Sequence, residues 1–258
     1  MASLVIGALL QLVAAASTPP AEDSGSVLAQ DARNPHLFSW KGRPTVLVGA
    51  PDHYGAILNL DFDYRAYLDL LARHNHTVLR VWSGAYREAN GTDASGAPWH
   101  SFGIVHNSLN PRPLRFLPPW ERSSECCYAD GGNKFDLSKI SEAYMTRVED
   151  FLGAAQQRGI VVELTLFSNQ YDDRQWRVSP LHASNNVNGV EEVGVQGWYL
   201  TNNTRLMGFQ RRMVVALLQR LNRFPNLYYE VANELADPDS FPCAVSSLSL
   251  SNTKKERE

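Results

Sequence analysis

Cysteine is scarce in this sequence, with three in 258 residues, and no Cys-x-x-Cys spacing occurs. So few thiols cannot build a disulfide framework, and without the spaced pair neither structural zinc nor thioredoxin-type chemistry is indicated. A charge excess is missing as well: 24 Lys and Arg stand against 27 Asp and Glu, a formal charge of −3. That balance excludes a dedicated nucleic-acid binder, which needs a basic surface. No apolar run of membrane-spanning length follows the first residues. What remains, 44% apolar and 20% charged residues, is the composition of a folded chain.

The first residues read as an export signal. Leu4 to Ala16 is apolar apart from Gly7 and Gln11, and it ends in the small-residue run Ala14-Ala15-Ala16-Ser17. An apolar core of ~7–15 residues suits a secretory signal and is too short to span a bilayer. Met1-Ala2-Ser3 lacks the usual basic charge. Residues 1–17 are expected to be a signal peptide, which makes the protein secreted. Residues 18–33, rich in Pro, Ser, Gly and acid, are a linker. Asn-x-Ser/Thr sequons begin at Asn75, Asn90 and Asn202; each accepts a glycan only in a secreted eukaryotic chain.

From there strands and helices alternate. Thr45 to Val48 is a short apolar run after the turn signal Lys41-Gly42-Arg43-Pro44 and predicts a buried strand. Asp61 is positioned to cap a helix whose apolar face is Tyr64, Tyr67, Leu68 and Leu71. Thr77 to Trp82 predicts the second strand, and a long loop follows from Ser83 to about Ile140. Ser141 caps a second helix with Tyr144, Val148, Phe151, Leu152 and Ala155 on one face, and Gly159 stops it. Ile160 to Phe167 is the third strand, and another long loop runs to about Thr201. The third helix carries Leu206, Phe209, Met213, Leu217 and Leu221, Pro225 ends it, and Leu227 to Ala232 is the fourth strand.

Strands apolar on both faces and joined by helices form a parallel sheet covered by helices. An open doubly wound sheet and a (β/α) barrel both satisfy this. A nucleotide-binding sheet needs a Gly-rich turn after its first strand. Here that position holds Gly49-Ala50-Pro51-Asp52-His53-Tyr54, and Gly131-Gly132 has no predicted strand before it. The long loops leave the C-terminal strand ends, where barrel enzymes build their sites, while the connections after helices are short. The expected class is α/β, of the parallel (β/α) barrel type.

Candidate chemistry gathers at those strand ends. The fourth strand ends in Asn233-Glu234. A carboxylic acid there can protonate a leaving-group oxygen and later deprotonate water, and the amide can bond a sugar hydroxyl. The same dipeptide also caps ordinary turns. Val78, Arg80 and Trp82 share one face of the second strand. A buried Arg80 needs a partner, and Glu163 is a candidate, either as a structural ion pair or as part of a site. His53, after the first strand, sits at the rim as a substrate contact or a structural residue. His74 and His76 have metal-like spacing, but they fall at the opposite end of the sheet and read as a solvated turn. Trp99, Phe102, Phe116, Trp120, Tyr128, Tyr171, Trp176, Trp198 and Tyr199 crowd the long loops. Most are expected to core those loops, with one or two lining a cleft. Cys126-Cys127 is expected to be two free thiols rather than a vicinal disulfide.

The segment YYEVANEL resembles the fourth-strand motif of glycoside hydrolase family 5 and its wider clan A of (β/α)8 enzymes, which read Tyr-Glu-x-x-Asn-Glu there. The resemblance implies that Glu234 is the acid/base, that Asn233 holds the sugar 2-hydroxyl, and that Glu230 is a barrel-interior carboxylate. LRVWSG looks like the family's second strand, whose Arg, here Arg80, orients the nucleophile. GAPDHYGAI, FDLSKI and SPLHASNNVNGV resemble segments of a bacterial cellulase-like branch, so the likeness covers about Asn34 to Leu235. The implied substrate-binding residues are Asn233, Arg80, His53 and Trp82, with no metal and no cofactor. The implied partner is an oligo- or polysaccharide.

Only four strands are predicted, and 23 residues follow Leu235. A closed barrel needs ~250 residues of repeating units, and the family's nucleophile comes from strand seven. The expectation is the first four strands of a (β/α)8 barrel over 34–235, with an irregular tail over 236–258. A truncated gene model, an alternative transcript and a degenerate copy are equally open explanations. Such a chain is expected to be a glycosidase-like protein, inactive alone and prone to self-association through open sheet edges. The alternative is a non-enzymatic carbohydrate-binding or interaction protein derived from a glycosidase.

Overall fold

A computed structural model describes residues 28–235 except 51, 52, 93, 94 and 201. The expected signal peptide, most of the linker and the tail lie outside the described residues. In chain order the elements are β1 (Ala29–Gln30), β2 (Phe38–Trp40), β3 (Arg43–Thr45), β4 (Gly49–Ala50), α1 (Tyr64–Arg73), β5 (Val78–Trp82), β6 (Asn90–Thr92), β7 (Pro98–His100), β8 (Trp120–Cys126), β9 (Asn133–Ile140), α2 (Glu142–Gln157), β10 (Val161–Ser168), α3 (Asp173–Trp176), α4 (Thr204–Leu221) and β11 (Leu227–Asn233). β4, β5, β10 and β11 form a parallel sheet whose spatial order follows the sequence. There is no switch point in that order, so the doubly wound alternative is excluded for this sheet.

The helices form because each presents one apolar stripe. Their inward residues, among them Leu68, Leu71, Val148, Phe151, Leu206 and Leu217, are buried in one cluster with Leu79, Val81, Val162 and Leu164 of the sheet. In register, Val162 lies beside Leu79 and Leu164 beside Val81, so these four side chains share one sheet face. Ser141 caps α2 by accepting from the Tyr144 amide at 3.2 Å. Gly159, at φ +72°, turns the chain from α2 into β10 in a conformation that disfavours any side chain.

Several expectations need correction. The first sheet strand is Gly49–Ala50, not Thr45–Val48. Thr45 ends an antiparallel pairing with β2, and Val46 and Val48 are exposed. The Thr77 hydroxyl holds that stretch: it accepts from the Val48 amide at 2.8 Å and donates to the Val46 carbonyl at 3.1 Å. Asp63, not Asp61, caps α1; Asp61 instead accepts from Arg112 and Arg115, each at 2.7 Å. The first long loop holds two antiparallel hairpins, β6–β7 and β8–β9. Phe135 and Leu137 alternate inward on β9 and are fully buried, a period-two signal inside an otherwise polar stretch. Cys126 and Cys127 are paired as a vicinal disulfide.

Arg147 on α2 positions the turn that leaves β4. Its guanidinium donates to the carbonyls of Ile57 and Asn59 at 2.9 Å, and to those of Ala56 and Phe62 at 3.2 Å. Burial pushes its pKa down, outweighing the nearby Tyr64 and Asp150, while the four carbonyls take its donated hydrogen bonds. Arg147→Met should cost about 2–3 kcal/mol in urea unfolding at unchanged m-value, because buried carbonyls lose their donor. Arg147→Lys should recover only part, since an ammonium lacks the planar fork.

Candidate active site

The sheet face opposite the helices is polar. Arg80 of β5 lies beside Glu163 of β10, which lies beside Tyr228 of β11. One step along, Trp82, Thr165 and Glu230 form a second row. Strand alternation therefore places two carboxylates and one guanidinium on the same face. Arg80 contacts both acids: its Nε lies 3.2 Å from Glu163, and Nη2 forms a short ion pair with Glu230. Glu230 also accepts from the Thr165 hydroxyl at 2.6 Å, and Glu163 from the Tyr228 hydroxyl at 2.6 Å. Burial works against the Arg80 charge, but Glu230 and then Glu163 outweigh it, so its pKa is raised. The expected Arg80–Glu163 pair is present, with Glu230 as a second acid.

The network continues to the strand end. Arg80 Nη2 donates to Asn233 Oδ1 at 3.0 Å. Asn233 Nδ2 donates to Tyr171 Oη at 2.8 Å, and Tyr171 Oη donates to Glu234 Oε2 at 2.7 Å. Asn233 is buried and Glu234 is exposed. Glu234 holds a left-handed backbone, φ +50°, which costs free energy for a residue with a side chain and turns the chain sharply at the sheet edge. Burial, followed by the bond to Glu234, raises the Tyr171 pKa to about 12. Tyr171 therefore stays a proton donor to the carboxylate at neutral pH.

These residues line a cavity of about 340 Å³ at the C-terminal end of the parallel strands. Arg80, Asn233, Glu234 and Tyr171 line it, together with Trp82 and Tyr54, whose rings stack at 5.1 Å. The excursion between β5 and β8 contributes further lining residues, including Glu88, Phe102 and Asn107. Glu88 is buried, accepts from Tyr86 Oη at 3.2 Å, and forms a short bond with Asn107 Nδ2.

Of the sequence-derived candidates, Arg80, Trp82, Asn233 and Glu234 meet in this cavity. His53 does not line it; its ring packs between Phe62 and Tyr67, each at 5.0 Å. Its neighbour Tyr54 occupies the wall instead. Of the loop aromatics, Phe102 and Tyr171 reach the cavity, while Trp120, Trp176 and Trp198 are buried. Glu88 carried no sequence signal, because a lone Glu in a polar loop does not reveal its burial. Among the described residues, no three His, Cys, Asp or Glu side chains are grouped to hold a metal ion.

No protein-family model and no curated sequence matches the chain. Solved structures do. A putative glycoside hydrolase from Bacteroides vulgatus ATCC 8482 superposes with a TM-score of 0.53 at 14% identity, covering 89% of this chain and 37% of that one. In fold, the chain resembles a glycoside hydrolase. It spans well under half the length of that relative. A family 5 mannosidase from Rhizomucor miehei matches 81% of this chain and 49% of its own, at 12% identity and a TM-score of 0.46. A family 5 glycoside hydrolase from Bacteroides vulgatus gives 0.45 at 11% identity, covering 87% and 36%. Scores this low add no argument of their own. The 0.53 match supports a barrel-like α/β fold for the described sheet.

Burial raises the Glu88 pKa above the ordinary glutamate value of 4.5. A raised folded-state pKa means the native state holds the proton more tightly than the unfolded chain. Native stability is therefore favoured at acid pH and declines as pH rises through and above the ordinary value. Glu88→Gln cannot ionise and should lack this decline. Urea midpoints at about pH 4 and about pH 7 should show the variant gaining on the native chain at the higher pH. Parallel pH dependence would exclude a perturbed Glu88.

Proposed function

We propose that residues 34–235 are the first four βα units of a (β/α)8 glycoside hydrolase barrel, and that the cavity accepts a β-linked oligosaccharide. The observation that carries this reading is the Arg80–Asn233–Tyr171–Glu234 chain of hydrogen bonds at the end of the last strand. In this reading Glu234 is the acid/base of a retaining hydrolysis. It protonates the glycosidic oxygen, then takes a proton from the water that releases the sugar. Asn233 is the residue facing the sugar 2-hydroxyl, and Arg80 holds it in place. Tyr54, stacked on the buried Trp82, is the aromatic surface suited to a sugar's C–H face.

Retaining hydrolysis also needs a nucleophilic carboxyl ~5–5.5 Å from the acid. Among the described residues, Glu163 and Glu230 are engaged by Arg80, and Glu88 by Tyr86 and Asn107. The nucleophile in this reading lies on another part of a complete barrel, and residues 34–235 alone bind without turnover. General acid catalysis by itself contributes only ~10²–10⁴-fold. An activated aryl β-mannoside or β-glucoside should show no turnover that Glu234→Gln removes. Robust hydrolysis abolished by that substitution would mean a second catalytic carboxyl lies within these residues.

The same reading leaves β11 as an open edge. Among the described residues it pairs only with β10, and Leu227 to Ala232 are all part-exposed. Unpaired edges recruit other strands. The chain should therefore self-associate, with sedimentation velocity at micromolar concentration showing dimers or larger species; a stable monomer would contradict the open edge. Secretion completes the proposal, supported by the apolar run over Leu4 to Ala16. N-terminal sequencing of exported protein should find a start near Thr18.

A further inference from the structure

Part of the cavity wall is built by an excursion whose ends are clamped. The Glu88 amide donates to the Leu109 carbonyl at 2.9 Å, closing it at its base. Ser101 is fully buried, and its hydroxyl donates to the Ala89 carbonyl at 3.0 Å. From this anchor Phe102 turns outward with a left-handed backbone, φ +52°. Its ring meets Tyr171 edge-on at 5.0 Å, yet the residue remains 60% exposed. A strained backbone and a large exposed ring are both unfavourable, and together at a cavity mouth they mark a ligand contact.

Glu88 and Asn107 line the same cavity. Asn107 Oδ1 accepts from the Leu109 amide at 2.9 Å, which fixes the side chain whose amide nitrogen holds Glu88. A carboxylate has about four acceptor positions. Tyr86 and Asn107 each take one, so Glu88, which lines the cavity, retains acceptor capacity. An apolar ring and a fixed carboxyl in one cavity match a sugar, which has a C–H face and a rim of hydroxyl donors.

We propose that Phe102 and Glu88 form a second saccharide-binding position in this cavity, Phe102 stacking on the ring of one sugar unit and Glu88 accepting from its hydroxyls, with Asn107 as the residue that positions Glu88. The inference rests on the reading of the cavity as a carbohydrate site and extends it: the ligand is an oligosaccharide of at least two units, one at Glu234 and one at Phe102. The ring at Phe102 adds affinity without touching the reacting bond.

The test is calorimetric titration of the full chain with β-1,4-mannotriose and with cellotriose at about pH 7, comparing native protein with Phe102→Ala, Phe102→Trp, Glu88→Gln and Asn233→Ala. Phe102→Ala should weaken the better trisaccharide about tenfold, the effect of uncovering one aromatic contact. Phe102→Trp should restore it. Glu88→Gln should weaken binding as well, because an amide offers one acceptor oxygen where the carboxylate offers two. Phe102 is exposed, so its replacement should leave the thermal transition unchanged, which separates a binding effect from misfolding. Affinity within twofold of native in Phe102→Ala or in Glu88→Gln, with Asn233→Ala impaired, would overturn the second position and leave the Glu234 site standing. Failure of the native chain to bind either trisaccharide would overturn both.

Discussion

Arg80 is the residue on which the polar half of this fold depends. Two carboxylates, Glu163 and Glu230, sit on the same sheet face and on the same pair of neighbouring strands. Placed together without a cation they would repel and resist burial. The Arg80 guanidinium pairs with both and still reaches Asn233. Its planar donors make this possible; a lysine ammonium has no fork to span three acceptors. Through Asn233 and Tyr171 the same side chain sets the position of Glu234, so an interaction inside the sheet determines where an exposed acid stands at its edge.

The sheet divides its work by face. Leu79, Val81, Val162 and Leu164 are buried against the helices and carry the hydrophobic stabilisation. Arg80, Glu163, Thr165 and Glu230 occupy the other face, where each polar group is satisfied by another. Change on the polar face therefore acts on the site more than on the core, whereas truncation of a buried side chain such as Phe151 acts on folding. The long excursions after β5 and β10 follow from the same division. They leave the strand ends where the polar face opens, and they bring Glu88, Phe102 and Tyr171 to a wall that the strands alone do not make.

Much of this was legible in the chain. Periodicity located α1, α2 and α4 and three of the four sheet strands to within a residue or so, because each has a continuous apolar face. The first sheet strand was misplaced because Thr45–Val48 is apolar yet exposed, while Gly49–Ala50 pairs through backbone alone. Asp63 and Asp61 are equivalent as cap signals in sequence; only the contact of Asp61 with Arg112 and Arg115, about fifty residues away, separates them. Strand alternation placed Arg80 near Glu163, and motif resemblance singled out Asn233 and Glu234. Tyr171 was visible only as one of many loop aromatics, and Glu88 not at all. Their places depend on how two long excursions fold over the sheet, which local pattern does not encode.

The central proposal is that Glu234 stands where a glycosidic oxygen would bind, and a bound ligand tests it most directly. A crystal structure of the chain with a thio-linked β-1,4-disaccharide, which resists cleavage, locates the bridging atom. The expected result places that sulfur within hydrogen-bonding reach of a Glu234 carboxyl oxygen, about 3 Å, with Asn233 beside the sugar 2-hydroxyl. A disaccharide seated away from Glu234, or a cavity that stays without sugar at saturating ligand, would contradict the assignment.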